Sequence, residues 1–230
     1  MNPVLENSPL RADGRRERGK RAKLVRIKRA ARALFSRRGF DATTTRAIAS
    51  AADIGAGTLF LYAGSKEDLL VMIFREEVGA AVDRAVATVP AASLVDQIMH
   101  LFGAIIAHHA ENPALARIFV KELPFVADTR HGVEDFIRNL FARMAALVEA
   151  AQSRGELRRD VVPRLLAENL FALLFQRLQQ WLSGRKPLTI DIRPRVREAL
   201  ELQLRGLGQV KPAAPAIKSR AARARRAAIS

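Results

Sequence analysis

Residues 39–70 read GFDATTTRAIASAADIGAGTLFLYAGSKEDLL, and the punctuation of this stretch decides the fold. Thr44 is placed to cap a short helix that turns Ile48 and Ala49 inward. Asp53-Ile54-Gly55 breaks that helix, and a second short helix is predicted from Ala56 to Leu61. Gly64-Ser65 breaks the chain again. Ser65 then caps a long helix whose first turn holds Glu67 and Asp68, acids that complement the helix dipole. Leu70, Phe74, Val78 and Ala81 give this long helix an apolar face. Two short helices joined by a tight turn form a helix-turn-helix. Ala49 and Ala52 are small enough for the helices to cross closely, and Ile48, Ile54 and Leu59 fix their angle. The second helix is then held rigidly enough to enter a major groove.

Upstream, Leu24, Ile27, Ala31, Leu34 and Phe35 recur at helical spacing after Ala22. Gly39 follows as the residue that ends this helix, with Arg37 and Arg38 in its last turn. Residues 1–19, with Pro3, Pro9, Gly14 and Gly19 among charges, are expected to form a flexible basic arm. Downstream, helices are predicted at 93–112, 114–123, 131–154, 163–183 and 194–206, separated by Pro and Gly. Leu188-Thr189-Ile190 is read as a loop, and no strand is expected. The fold expected is all-α. A three-helix DNA-binding domain (20–66) is joined by a long helix to a helical effector-binding and dimerisation domain (67–208). A basic tail rich in Ala and Pro, expected to be disordered, follows at 209–230.

The 39–70 stretch resembles the DNA-binding domain of the TetR/AcrR family, whose pattern is G-[FY]-x-x-T-T-x-x-x-I-A-x-x-A-G-V-S-x-G-T-[LI]-Y-x-[YH]-F-x-[SN]-K-E-x-L. Gly39, Phe40, Thr43, Thr44, Ile48, Ala49, Ala52, Gly57, Thr58, Leu59, Tyr62, Ser65, Lys66, Glu67 and Leu69 match. Three positions depart from it: Asp53 for the turn Gly, Gly55 for Ser and Ala63 for Phe. The resemblance implies roles for individual residues. Thr44 and Thr45 start the first short helix at the phosphate backbone, and Arg46 is positioned to reach a base edge, where it can pair with guanine O6 and N7. Gly55, Ala56, Gly57, Phe60 and Leu61 belong to the recognition helix, and its small and apolar side chains suit thymine methyls and groove shape. Thr58, Tyr62 and Lys66 form the phosphate contacts implied by the family, and Lys20 and Arg21 add contacts from the arm, with Lys23 beside them.

The charge distribution agrees with a polyanionic partner. The chain of 230 residues carries a net charge of +16, of which residues 1–30 hold +7 and residues 211–230 hold +6. Such ends attract nucleic acid or anionic surfaces. The absence of cysteine rules out disulfides, thiolate metal sites and cysteine nucleophiles, and fits a cytoplasmic setting. No apolar run approaches the ~20 residues that span a bilayer. Gly55 to Phe60 fails as a dinucleotide loop because Phe60 stands at the third Gly position. His100, His108, His109 and His131 form no ligand pattern; adjacent His108 and His109 diverge on a helix. No catalytic constellation, cofactor or metal site is expected, so the chain is read as a non-enzyme.

In the C-terminal half, the helix 163–183 is apolar almost all round and must be covered on several sides. The resemblance implies a four-helix dimer interface with the following helix, using Leu166, Leu170, Leu174, Leu178, Trp181, Val196, Leu200 and Leu204. It also implies an effector pocket, for which Met99, Phe102, Ile106, Phe119, Phe141 and Met144 are the candidates. Their apolar character points to a hydrophobic small molecule. The function expected is a homodimeric transcriptional regulator, of repressor type, on a pseudo-palindromic operator. A nucleoid-associated DNA-binding protein without an effector is the competing reading.

Overall fold

In the computed structural model, which describes residues 9–124, 132–184 and 190–207, helix α1 spans Pro9–Arg38. Residues 9–19, expected within a flexible arm, are thus helical. Proline is tolerated in a first helical turn, and Gly14 and Gly19 each cost only ~1 kcal/mol relative to Ala. Arg, Leu, Ala and Glu, which recur in the stretch, are good helix formers, and Glu17 pairs with Arg21 one turn on at 3.7 Å. The helix ends at Gly39, whose φ of +80° is readily adopted by glycine and whose N–H bonds back to the Phe35 carbonyl at 3.1 Å.

Helices α2 (Thr45–Ala51) and α3 (Ala56–Leu59) follow, then α4 (Lys66–Ala87). The Ser65 hydroxyl accepts from the Asp68 N–H at 3.0 Å, the expected cap. The remaining helices are α5 (Leu94–Glu111), α6 (Pro113–Glu122), α7 (Val133–Ser153), α8 (Pro163–Ser183) and α9 (Arg193–Arg205). Among the described residues there is no strand. Asn112 caps α6 through the Leu115 N–H at 3.1 Å. The predicted loop residues 188 and 189 and the tail 209–230 lie outside the described residues, as does His131.

Two hydrophobic cores share α4. The first gathers Ile27, Ala31, Leu34 and Phe35 of α1, Ile48 and Ala49 of α2, Leu59 of α3 and Leu69, Leu70, Val71, Ile73 and Phe74 of α4, closed by Leu115, Ala116, Phe119 and Val120 of α6. The second joins the later turns of α4 to α5, α7, α8 and α9. The sequence suggests one apolar face on α4. In the fold its residues 69–74 are buried all round, because α1, α6 and α5 each cover a side. This rod ties the N-terminal unit to the C-terminal one through continuous packing.

Candidate nucleic-acid interface

The N-terminal unit is a helix-turn-helix whose parts are set by local bonds. The Thr44 hydroxyl accepts from the Ala47 N–H at 3.1 Å and caps α2. Asp53 takes the turn in the left-handed region, with φ at 52°, a conformation Asp adopts more easily than most L-residues. Its neighbour Ile54 donates to the Ala49 carbonyl at 3.1 Å, which folds the turn back on α2. Gly55 caps α3 without a side-chain bond. α3 ends at Leu59 rather than Leu61, and the chain continues in tight turns: the Leu61, Tyr62 and Ala63 N–H groups donate to carbonyls of Thr58 and Leu59 at 2.9–3.2 Å.

Burial sorts the predicted contact residues. Leu59 and Ala63 anchor the recognition segment in the first core, with Ile48, Ala49 and Ala52 beneath it. Thr44, Arg46, Gly55, Ala56, Gly57, Phe60 and Leu61 are exposed, and Thr45, Thr58 and Tyr62 are half-buried. Lys20, Arg21 and Lys23 are exposed on α1. Arg26 of the same helix lies 4.0 Å from Asp53 in the turn, so the cationic edge of α1 emerges beside the start of the recognition segment.

Lys66, expected at a phosphate, is held within the fold. Its Nζ reaches the carbonyl oxygens of Phe40 at 3.0 Å, Thr43 at 3.3 Å and Asp41 at 3.4 Å, and lies over the Phe40 ring. An ammonium has three donors, and all are engaged inside the fold. Lys66 closes the α1–α2 turn from the start of α4.

A charged seam that no sequence motif marks joins α1 to the helices behind it. Lys28 donates to Glu76 at 2.6 Å, and Arg32 Nε lies 2.8 Å from Glu77. The other Glu77 oxygen faces His108 Nε2 of α5 at 3.4 Å. Burial works to raise the Glu77 carboxyl, but His108 and Arg32 outweigh it and hold the group below the usual carboxylate range. Beside it, burial pushes the His109 imidazole down to about 4, partly opposed by its bond to the Ile105 carbonyl at 2.7 Å. The seam is legible only in space, since its residues lie on three separate helices.

The expected effector residues scatter. Met99 lines an open groove of about 640 Å³ between α4 and α5, together with Arg84, His100 and His108. Ile106 lines an adjoining hollow of about 390 Å³ that reaches Trp181. Phe102 and Met144 are fully buried in the second core, and Phe119 stacks on Phe74 in the first. Phe141 packs against Phe171, under the Arg164 guanidinium. Phe102, Met144 and Phe119 fill the interior, Phe141 is half-buried, and none of the four lines either hollow.

The expected dimer residues are also displaced. Leu166, Leu170, Leu174 and Leu178 of α8 and Val196, Leu200 and Leu204 of α9 are buried within one protomer, and Trp181 is partly buried between the two cores. A side chain already covered by its own chain has no surface to offer a copy. The large apolar groups left exposed on these two helices are Leu165 and Leu202, at 56% and 70%.

Among the described residues no helix is long and apolar enough to cross a membrane, and no group of three or more His, Asp or Glu is placed to hold a metal ion. Residues 27–73 match the model of the bacterial regulatory proteins of the tetR family. The chain is 31% identical over 181 residues to the HTH-type transcriptional repressor KstR of Mycobacterium tuberculosis, covering 76% of this chain and 79% of that protein. The KstR repressor of Mycolicibacterium smegmatis is 29% identical over 204 residues, covering 86% of this chain and 93% of that one. In structure, the chain is similar to Thermus thermophilus FadR, a TetR family repressor solved in complex with lauroyl-CoA. That likeness has a TM-score of 0.68 and 26% identity over 84% of this chain and 98% of that chain. FadR of Bacillus halodurans shares the fold, with a TM-score of 0.58 at 23% identity over 79% of this chain and 98% of its own. With the helix-turn-helix, the exposed recognition segment and the helical second unit in place, the chain belongs to the TetR family of bacterial regulatory proteins and is a DNA-binding transcriptional regulator.

Proposed function

We propose that the chain works as a homodimeric repressor that holds a pseudo-palindromic operator and releases it when a hydrophobic effector binds. The observation that carries this reading is the display of residues 55–62. Leu59 and Ala63 fasten the segment from beneath while Gly55, Ala56, Gly57, Phe60 and Leu61 remain free to meet a groove. Thr44, Thr45, Thr58 and Tyr62 take phosphates beside it, and Arg46 reads a guanine edge. Lys20 and Arg21 neutralise phosphates from α1. No catalytic step belongs to this role, which is carried out with DNA in the cytoplasm.

Dimerisation uses the outer stripe of α8, where Leu165, Ala172 and Gln176 recur at intervals of seven and four and are exposed, with Leu202 of α9. The two-fold relation of the subunits fixes the spacing of the half-sites. For the effector, acyl-CoA thioesters are the first class to test, since the Thermus relative is described in complex with lauroyl-CoA. The α4–α5 groove, with Met99, Ala81 and Ala104 on its walls and Arg84, His100 and His108 among them, suits an apolar ligand with an anionic part. His108 also faces Glu77, which holds Arg32 of α1, so a ligand against His108 disturbs the seat of the DNA-binding unit.

Selection of bound sequences from a random duplex pool tests the reading. A palindrome preferred by ~10³-fold or more over random DNA is expected of a regulator. Lauroyl-CoA and stearoyl-CoA are then titrated into the complex, and a loss of affinity of ~5–150-fold marks the effector class. Uniform binding to all sequences, with no response to any ligand, identifies an architectural protein instead.

A further inference from the structure

Among the described residues, Phe60 and Leu61 are the one pair of large apolar side chains that are neighbours in sequence and both exposed. Phe60 is 50% exposed and Leu61 is 80% exposed, directly after α3. Free apolar surface costs roughly 25 cal/mol per Å², so an adjacent pair standing in water calls for a partner. The pair is fixed in place: the Phe60 backbone is helical, and the following N–H groups bond back to Thr58 and Leu59. The backbone that leads to it is bare. Gly55, Ala56 and Gly57 are exposed, and a Cβ built on Gly57 meets nothing within 4 Å, so the fold itself does not require glycine there. The surroundings are cationic, with Arg46 exposed and the α1 edge emerging beside the turn at Asp53. An apolar pair on a bare backbone among cations suits the floor of a DNA groove better than a protein surface.

No side chain between residues 55 and 61 except Thr58 carries a hydrogen-bonding group, and Thr58 is half-buried. Base pairs offer the major groove one apolar feature, the thymine 5-methyl group. We infer that this regulator reads its half-site chiefly by thymine methyls packed against Phe60 and Leu61, with Arg46 supplying the single bidentate base contact. The inference rests on the DNA-binding role and names the chemistry of the operator it selects.

The test uses the full chain and the operator recovered from the random pool. Each half-site is expected to carry adjacent A·T pairs beside one guanine. Replacing those thymines by uracil removes only the methyl groups, and affinity measured by fluorescence anisotropy is expected to fall roughly fourfold per methyl, the value of one buried carbon group. In Leu61→Ala the uracil penalty is expected to vanish at one of the positions, and in Phe60→Ala at the other. Both side chains lie at the surface, so these variants fold, and circular dichroism checks it. Equal affinity for the thymine and uracil operators, or half-sites with G·C pairs at these positions, overturns the inference while leaving the regulator role intact. A change of oligomeric state in the two variants with DNA affinity unmoved overturns it too, assigning the pair to protein contact. Failure to bind any duplex at low ionic strength strikes instead at the DNA-binding role itself.

Discussion

The Lys66 ammonium lies 4.4 Å from the centre of the Phe40 ring and 3.0 Å from the Phe40 carbonyl oxygen. The first residue of α4 thus holds the turn between α1 and α2, and with it the start of α2 at Thr44 and Thr45. Lys66 is a structural tie in this fold.

Lys66→Met is therefore expected to destabilise the chain by about 1–3 kcal/mol, the scale for losing hydrogen bonds to a charged group. Thermal unfolding measures this. Operator affinity should fall while the slope of log K against log salt stays unchanged, because no phosphate charge is lost. A slope reduced by ~0.9 would instead assign Lys66 to a phosphate.

The cationic edge of α1 predicts the opposite pattern. Lys20 and Arg21 are exposed, and the Glu17 partner of Arg21 is itself exposed at 3.7 Å, too weak a pair to withdraw it from DNA. The double variant Lys20→Ala, Arg21→Ala should leave stability within ~0.5 kcal/mol. Its salt slope should fall by about 2, on any duplex sequence. Anisotropy titrations at several salt concentrations decide the matter.

Burial in α8 and α9 separates two classes of leucine. Leu202→Glu, at an exposed position, should shift the chain from dimer to monomer in sedimentation with the helical signal retained. Leu170→Ala, in the core of a single protomer, should cost about 2–5 kcal/mol of stability whatever the oligomeric state. A dimer unaffected by Leu202→Glu would move the interface elsewhere.

His109 gives the fold a pH dependence. Its folded-state value of about 4 lies below the ordinary 6.5, with burial the main cause. The unfolded chain therefore binds the proton more readily between these values. Stability is fully present above pH 6.5 and is lost as pH falls toward 4, by up to roughly 3 kcal/mol in all. Urea midpoints at pH 7, 5.5 and 4.5 measure it. In His109→Leu the part of the decline between pH 6.5 and 5 should flatten, whereas an unchanged curve would place the titrating group elsewhere.

Much of the helix-turn-helix was legible in residues 39–70 because its geometry is written in local signals. The caps at Thr44 and Ser65, the left-handed turn at Asp53 and the anchors Ile48 and Leu59 each depend on neighbours within a few residues. The helix boundaries downstream were legible for the same reason, set by Pro113, Pro163 and Pro194. Composition misled at residues 9–19, where Pro and Gly suggested an arm but charged helix formers extended α1. Apolar pattern likewise gave the extent of α8 without saying which copy of the chain would cover it.

The order of amino acids, acting through short-range backbone preferences, settled the nine described helices, the recognition segment and its family. Which leucines stay exposed, which aromatics fill the interior, and where the Lys66 charge points were decided only when distant helices closed on one another. Periodicity states that a side chain is apolar or charged; the partner that covers or pairs with it is a matter of long-range packing, and that information exists only in the assembled fold.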